Sequence, residues 1–327
     1  MAIPTLADDD TLADCLRSLE SQTLEDFEVV VIDNSGANRA RASGARVRLI
    51  ENAHNAGFGA AVNQGFRSSQ SPYLATLNDD AVADRRWLEM LVACADQNPR
   101  AGMFASEVHL ANTGRLDSAG MLIAKDGSSK QRGHGQDPAA FAHLGEALLP
   151  SGSAALYRRE MLDEIGLFDE SYFLYCEDTD LGLRGRWAGW ECLYVPGAVV
   201  EHKYSHSAGR ASPIKAYYVE RNRLYTVLKN FPWRMLMWVR PASAVRYFWH
   251  AIGMLRGTGK AAEFRREGNS LAHLLFLLVR AHAASVVRLP RLWRERRRIR
   301  ATRRLSASEF QALLTQHSIS LRRVAEL

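Results

Sequence analysis

The chain has 327 residues, 47% of them hydrophobic and 24% charged, a balance that suits one large globular domain or a domain with an appendage. The net charge of +6 hides a division: residues 1–214 carry 19 Lys/Arg against 30 Asp/Glu, and residues 215–327 carry 23 against 6. The four cysteines show no CxxC or Cys/His metal spacing and no run of about 18 apolar residues exists, so disulfides, a thiolate metal site and a membrane-spanning helix are not expected.

Taken in order, Ala2 to Leu6 reads as the end of a strand running into a loop. An amphipathic helix with Leu12, Cys15, Leu16 and Leu19 on one face follows it. Phe27 to Ile32 is a β-branched run of the kind buried in parallel sheets. It ends at Asp33-Asn34-Ser35-Gly36, at a strand's carboxyl end, where α/β sheets place ligand-binding groups. Residues 47–50 form a second strand. The stretch from Asn52 to Gly65 has the Gly and Asn positions of a loop that lets a ligand approach the backbone, before a small-residue helix whose N–H groups can face phosphate. It can equally be a plain turn. Residues 73–77 are another buried strand, delivering Asn78-Asp79-Asp80 at its end; these acids suit a divalent cation bridging two phosphates, or an Asx-turn. A helix with Trp87, Leu88, Leu91, Val92 and Ala95 as its apolar stripe comes next. Strand and helix alternating in this way predict an α/β sandwich.

Residues 103–150, punctuated by six glycines, read as a loop-rich rim of an acceptor site. Residues 150–159 read as a small-residue strand, in which Gly152 would let a ligand lie against the backbone. The aromatic run Tyr172, Phe173 and Tyr175 then leads into Glu177, Asp178 and Asp180. Clustered carboxylates near apolar groups resist ionisation, and a fold tolerates them where a cation or a proton transfer uses the charge. The bland alternative is a solvated helix N-terminus. A strand at residues 193–195 and the stretch from Val199 to Ser207, with His202 and His206, close this part.

Together, Ile-Pro-Thr, Val-Ile-Asp-Asn-Ser-Gly, Asn-Ala-Gly-Phe-Gly-Ala-Ala-Val-Asn-Gln-Gly, Leu-Asn-Asp-Asp, Ser-Gly-Ser-Ala-Ala, Gly-Leu-Phe-Asp-Glu, Tyr-Cys-Glu-Asp-Thr-Asp-Leu and Val-Glu-His resemble glycosyltransferase family 2, in its rhamnosyltransferase-like and galactofuranosyltransferase-like branch. The resemblance covers about residues 2–230, including Glu220-Arg221-Asn222-Arg223. It implies a GT-A fold, a Rossmann-like α/β sandwich with a mostly parallel central sheet, and inverting transfer from a nucleotide sugar. By the same resemblance Pro4, Thr5, Asp33 and Asn34 would hold base and ribose. Asn55, Gly57, Phe58, Gly59 and Asn63 would form the nucleotide loop, with Asn78, Asp79 and Gly152 also at the donor. Asp80 and His202 would bind Mg2+ or Mn2+, His206 being the less favoured histidine. Asp178 would be the catalytic base with Glu177 in support, and Asp180 a structural residue. Core or rim packing, rather than sugar stacking, is the favoured role for Phe168, Trp187 and Trp190. The pattern is broken at Met1, where the family has several further apolar residues, and at Asp79, which replaces a frequent proline.

Residues 215–327 are expected to form a basic, amphipathic, helical region beside a catalytic domain of residues 1–214. Aromatics such as Trp233, Trp238, Phe248 and Trp249 mix with Arg234, Arg240 and Arg246, and residues 288–304 hold nine arginines and one glutamate. Nucleic acid is the obvious rival partner for such a run. Beside a domain of this kind an anionic membrane surface is favoured, and no nucleic-acid partner is expected. The N-terminus carries no basic-then-apolar signal, so a cytoplasmic protein at the inner face of the plasma membrane is expected. The expected activity is sugar transfer, rhamnose-like, from dTDP-rhamnose or a UDP-sugar to a lipid-linked or glycan acceptor. A catalytically idle sugar-binding scaffold is the alternative.

Overall fold

In the computed structural model, which describes residues 1–7, 10–203 and 212–327, the first four buried runs become parallel strands. They are β1 (Ala2–Thr5), β2 (Val29–Asp33), β3 (Val47–Glu51) and β4 (Tyr73–Leu77). Successive side chains of a strand point to opposite faces, so the run Val29 to Ile32 supplies both sides of the sheet at once. Val29 and Val31 pack with Ile3 under α1 (Thr11–Glu20) and α3 (Trp87–Gln97). Val30 and Ile32 pack with Ala2 against α2 (Phe58–Arg67) on the other face. Burying each such side chain contributes about 1.5–3 kcal/mol.

The sheet continues through β5 (Ala81–Ala83), β6 (Ala101–Leu110), β7 (Arg115–Ser118), β10 (Gly145–Glu146), β11 (Ala154–Arg158) and β12 (Glu191–His202), while β8 (Met121–Ile123) and β9 (Ser129–Gln131) pair as a separate hairpin. The order is β10-β12-β6-β11-β4-β1-β2-β3. The long strands all run one way except β11, which lies antiparallel between β4 and β6. Helices α4 (Arg159–Ile165) and α5 (Glu177–Trp187) complete the α2 face.

Two expectations are corrected here. The segment from residue 103 is not simply a rim, because β6 lies inside the sheet, buried from Ala101 to Ser106. Its Ala-Gly-Met-Phe-Ala-Ser run holds no β-branched residue, so its composition concealed it. The strand read at 193–195 extends through the start of the stretch from Val199 as one twelve-residue strand, β12, with a register shift between Val195 and Val199 around Pro196-Gly197.

Seven helices follow: α6 (Pro213–Asn230), α7 (Trp233–Leu255), α8 (Gly259–Arg266), α9 (Leu271–Val287), α10 (Leu289–Thr302), α11 (Ala307–Gln316) and α12 (Leu321–Glu326). The first is pinned to α5 by buried charge: Asp180 accepts from Arg184 Nε at 3.0 Å, Lys229 Nζ at 2.8 Å and Asn230 Nδ2 at 2.9 Å. Asp180 is therefore structural. Among the described residues no single helix is long and apolar enough to cross a membrane; α9 and α10 meet that test only as a pair bent by 64°.

Candidate active site

A cavity of about 540 Å³ opens where β1, β2 and β4 end. It brings together Pro4, Thr5, Asn34, Asn55, Gly57, Phe58, Asn78, Asp79, Asp80, Gly152, Glu177, Asp178 and His202. The loop before α2 is shaped by asparagines: Asn34 Nδ2 donates to Asn55 Oδ1 (3.1 Å) and to Gly57 O (3.2 Å), and Ala56 N donates back to Asn34 Oδ1 (3.0 Å). Gly57 has φ +88°, and a Cβ there would lie 2.4 Å from Phe173 O. No other residue fits that contact between the loop before α2 and the chain leading to α5.

Asp80 and His202 meet because β5 pairs antiparallel with the end of β12, setting Ala81 opposite His202. Asp80 Oδ1 lies 3.2 Å from His202 Nε2, and Asn78 Nδ2 is also 3.2 Å from that nitrogen. The other ring nitrogen, Nδ1, is 3.0 Å from Asp117 Oδ2. Burial alone would lower the imidazole pKa, but the hydrogen bonds to Asp117 and Asp80 push it up to about 10. The pair of carboxylates thus calls for positive charge on or beside this ring. Asp80 Oδ1 is buried, with the His202 ring nitrogen as its one charged neighbour among the described residues. A carboxylate oxygen and an imidazole nitrogen directed at one point, with a carboxylate behind the ring, are a donor set that fits a divalent cation. Among the described residues no three His, Cys, Asp or Glu side chains gather to hold a metal by themselves. His206 lies outside the described residues.

At the other end, α5 begins with the acids. Three non-glycine residues just before it, Phe173, Tyr175 and Cys176, have φ of +64°, +69° and +64°. Such backbone persists only when its surroundings hold it. Asn222 on α6 does so, its Nδ2 donating to Tyr172 O, Leu174 O and Tyr175 O at 2.9, 2.8 and 2.7 Å. Arg221 adds bonds to Ser171 O (2.9 Å) and Tyr172 O (2.7 Å). So fixed, Asp178 Oδ2 accepts from Gly152 N at 3.0 Å and Oδ1 from Thr179 N at 2.6 Å. Burial holds the Asp178 carboxyl above its ordinary range despite those bonds. Glu177 is buried, its Oε2 unpartnered, and burial with the adjacent Asp178 charge pushes it up to about 8. Glu177 therefore keeps its proton near neutrality.

Residues 1–166 match the family model described as Glycosyl transferase family 2. The chain belongs to that family. It is 30% identical over 232 residues to the N-acetylglucosaminyl-diphospho-decaprenol L-rhamnosyltransferase of Mycobacterium tuberculosis, a match covering 62% of this chain and 76% of that protein. The fold is similar to GalNAc-T7 solved with UDP, GalNAc and Mn2+ (TM-score 0.58, 16% identity, 74% of this chain and 50% of that one). It is also similar to the mannosyltransferase PcManGT from Pyrobaculum calidifontis in complex with GDP-Man and Mn2+ (TM-score 0.50, 14% identity, 88% and 85%). These likenesses establish the GT-A fold.

Within this glycosyltransferase, three residues expected at the donor do not line the cavity. Asp33 spends both oxygens on its own loop, accepting from Ser35 N and Ala40 N at 2.8 Å each. Asn63 ties α2 to the chain at Phe168, donating to its O (2.9 Å) and accepting from its N (3.1 Å). Gly59 makes room for Phe168, whose Cβ would stand 3.1 Å from an added methyl. The aromatics pack as expected: Trp187 stacks on Phe310 with centroids 3.9 Å apart, and the buried Trp190 donates to Glu164 Oε2 at 2.8 Å. Asp117 and Asn222 were not assigned roles from sequence. Asp117 lies in the segment read as a rim, 85 residues from its histidine.

Proposed function

We propose that this glycosyltransferase is metal-dependent and inverting, moving a rhamnose-like sugar from a nucleotide diphosphate to a lipid-linked or polysaccharide acceptor of the cell surface. The observation that carries this reading is one cavity lined by Asp80, His202 and the partly exposed Asp178. Asp178 takes the proton of the acceptor hydroxyl as its oxygen attacks the anomeric carbon. The bond from that carbon to the diphosphate breaks on the opposite face, so the configuration inverts. Protonated Glu177 adds no second negative charge beside the base. Asp80 and His202 would hold Mg2+ or Mn2+ with phosphate oxygens completing its shell, Asp117 fixing the ring. The bound ion supplies charge neutralisation to the departing diphosphate. The Mycobacterium tuberculosis relative's own name, a rhamnosyltransferase acting on a diphospho-decaprenol, supports a dTDP-rhamnose-like or other nucleotide-sugar donor and a lipid-linked acceptor.

A membrane-facing position at the inner leaflet belongs to the same reading. Trp238 and Phe248 of α7 and Phe276, Val279 and Val286 of α9 are exposed, and α10 presents Arg294, Arg297, Arg298 and Arg300. Exposed aromatics beside arginines suit an anionic interface. Failure to sediment with anionic vesicles at physiological salt would remove this part.

Nucleotide release from a panel of nucleotide sugars, with and without Mg2+ or Mn2+, tests the activity in wild type and Asp178→Asn. Metal-dependent turnover of one donor, lost in the variant, is expected. Binding of donors without turnover, even with membrane extract as acceptor, would favour the idle scaffold.

A further inference from the structure

The cavity has a second arm that donor binding and proton transfer leave without a task. Its wall is built by β9, α6, α7 and α8, which bring Lys130, Lys215, His250 and Lys260 to one space. The nearby acids are already engaged. Asp126 and Glu220 are buried against Arg223 and Arg246, two carboxylates against two guanidiniums, and Tyr247 OH donates to Glu220 at 2.6 Å. Lys260 pairs with Glu263 at 3.0 Å, and Lys215 Nζ stands 5.6 Å from the centre of the Tyr175 ring. Lys130 has no hydrogen-bond, ion-pair or ring partner among the described residues. Burial, then Lys260, Lys215 and Arg246, push its ammonium down to about 8; burial with Arg246 and Lys130 pushes His250 down to about 4. An ammonium in such a wall costs free energy until a ligand brings the opposite charge.

The arm is joined to the reacting centre. Thr179, the residue after Asp178, has its Oγ1 2.9 Å from Ser129 Oγ, so β9 abuts the first turn of α5 and Lys130 is the next residue along. The Arg223 and Arg246 bonds to Asp126 clamp the β8–β9 turn on α6 and α7, which fixes Lys130 in advance of any ligand. The same cavity is also lined by the apolar Ala261, Phe264, Leu274 and Leu278. On α9 the adjoining Leu275, Phe276 and Val279 are 54%, 60% and 69% exposed. Basic groups together with apolar ones suit an anionic head on a long hydrocarbon chain, and do not suit a nucleotide.

We propose that this arm is the acceptor site, in which Lys130, flanked by Lys215 and Lys260, binds the diphosphate of a polyprenyl-diphosphate-linked glycan while Phe264, Leu274 and Leu278 take its first isoprene units. This rests on the reading that the acceptor is lipid-linked. Holding the diphosphate on β9 carries the acceptor's sugar hydroxyl to Asp178.

The full-length protein in mild detergent is titrated with farnesyl diphosphate, with inorganic pyrophosphate, and with UDP and dTDP plus Mn2+. Wild type is compared with Lys130→Gln, Lys260→Gln and Leu278→Glu. Loss of a charge-assisted contact in Lys130→Gln should weaken farnesyl diphosphate about tenfold or more, with Lys260→Gln weakening it less. Leu278→Glu should weaken farnesyl diphosphate far more than pyrophosphate, since it sets a carboxylate where only the hydrocarbon chain would lie. Nucleotide affinity should be the same in all four proteins. Unchanged farnesyl diphosphate affinity in both lysine variants overturns the proposal, and so does an equal loss of nucleotide affinity, which would assign the lysines to the donor. Pyrophosphate binding wild type as tightly as farnesyl diphosphate overturns the lipid track. If wild type binds neither nucleotide, it is the glycosyltransferase reading that fails, and that result is separate from any effect of Lys130.

Discussion

The same residue types lead opposite lives in two neighbouring regions. Where α5 meets α6, every buried acid has a cation: Asp180 has Lys229 and Arg184, Asp169 has Lys229 and Arg291, and Glu220 has Arg223 and Arg246. In the cavity, two residues away along the same helix, Asp178 and Glu177 have no cationic partner among the described residues, and Asp80 faces only a histidine. Paired acids hold elements together. Acids left without a cation in a ligand-sized cavity are available for chemistry.

The sharpest way to break this contrast is to neutralise one acid of each kind on α5. Asp178→Asn should lower turnover by about a hundred- to ten-thousandfold with a stability change smaller than that of the Asp180 variant, since the amide keeps one of the two acceptors that Gly152 N and Thr179 N use. The wild-type rate should climb with pH through the raised Asp178 pKa, a limb that the variant lacks. Asp180→Ala should instead cost about 3–5 kcal/mol of stability, read by urea unfolding, because Arg184 loses its only carboxylate among the described residues and Lys229 keeps only Asp169. Asp180 is held below the ordinary carboxylate range, so its contribution is present above its unfolded pKa and is lost as pH falls through the folded one. The gap between this variant and wild type should therefore narrow in acid.

Next in size is Asp117→Asn. With the carboxylate behind His202 removed, the Mn2+ concentration for half-maximal nucleotide binding should rise about ten- to a hundredfold. The last effect has the opposite sign. Glu177 titrates near 8 in the fold against an ordinary 4.5, so the folded protein holds a proton that the unfolded chain has released, and stability falls as pH rises between those values. Glu177→Gln should raise the melting temperature, by an amount that grows from about pH 5 to about pH 8; a gap that shrinks over this window would contradict the assignment.

The half of the site around β1 to β4 was legible in the sequence, because β-branched runs buried on both faces announce parallel strands and their ends announce the ligand. Asp80, His202 and Asp178 were legible through motifs in a fixed order, and the structure brings them to one cavity. What the sequence concealed depends on distant partners. Asp117 becomes part of the site only because β6 carries β7 alongside the end of β12. Asn222 belongs to a motif that could be quoted, but its three carbonyl partners lie in a strained turn 47–50 residues away. Asp33 and Asn63 stand outside the cavity lining for the converse reason: a polar side chain in such a motif can be consumed by the backbone that shapes the motif.

The most direct test of the account is the anomeric configuration of the transferred sugar, read by proton NMR on product made by the wild-type protein. A single displacement with Asp178 as the only base predicts a configuration opposite to that of the donor. A retained configuration would require a second nucleophile on the donor side and would contradict the assignment of Asp178.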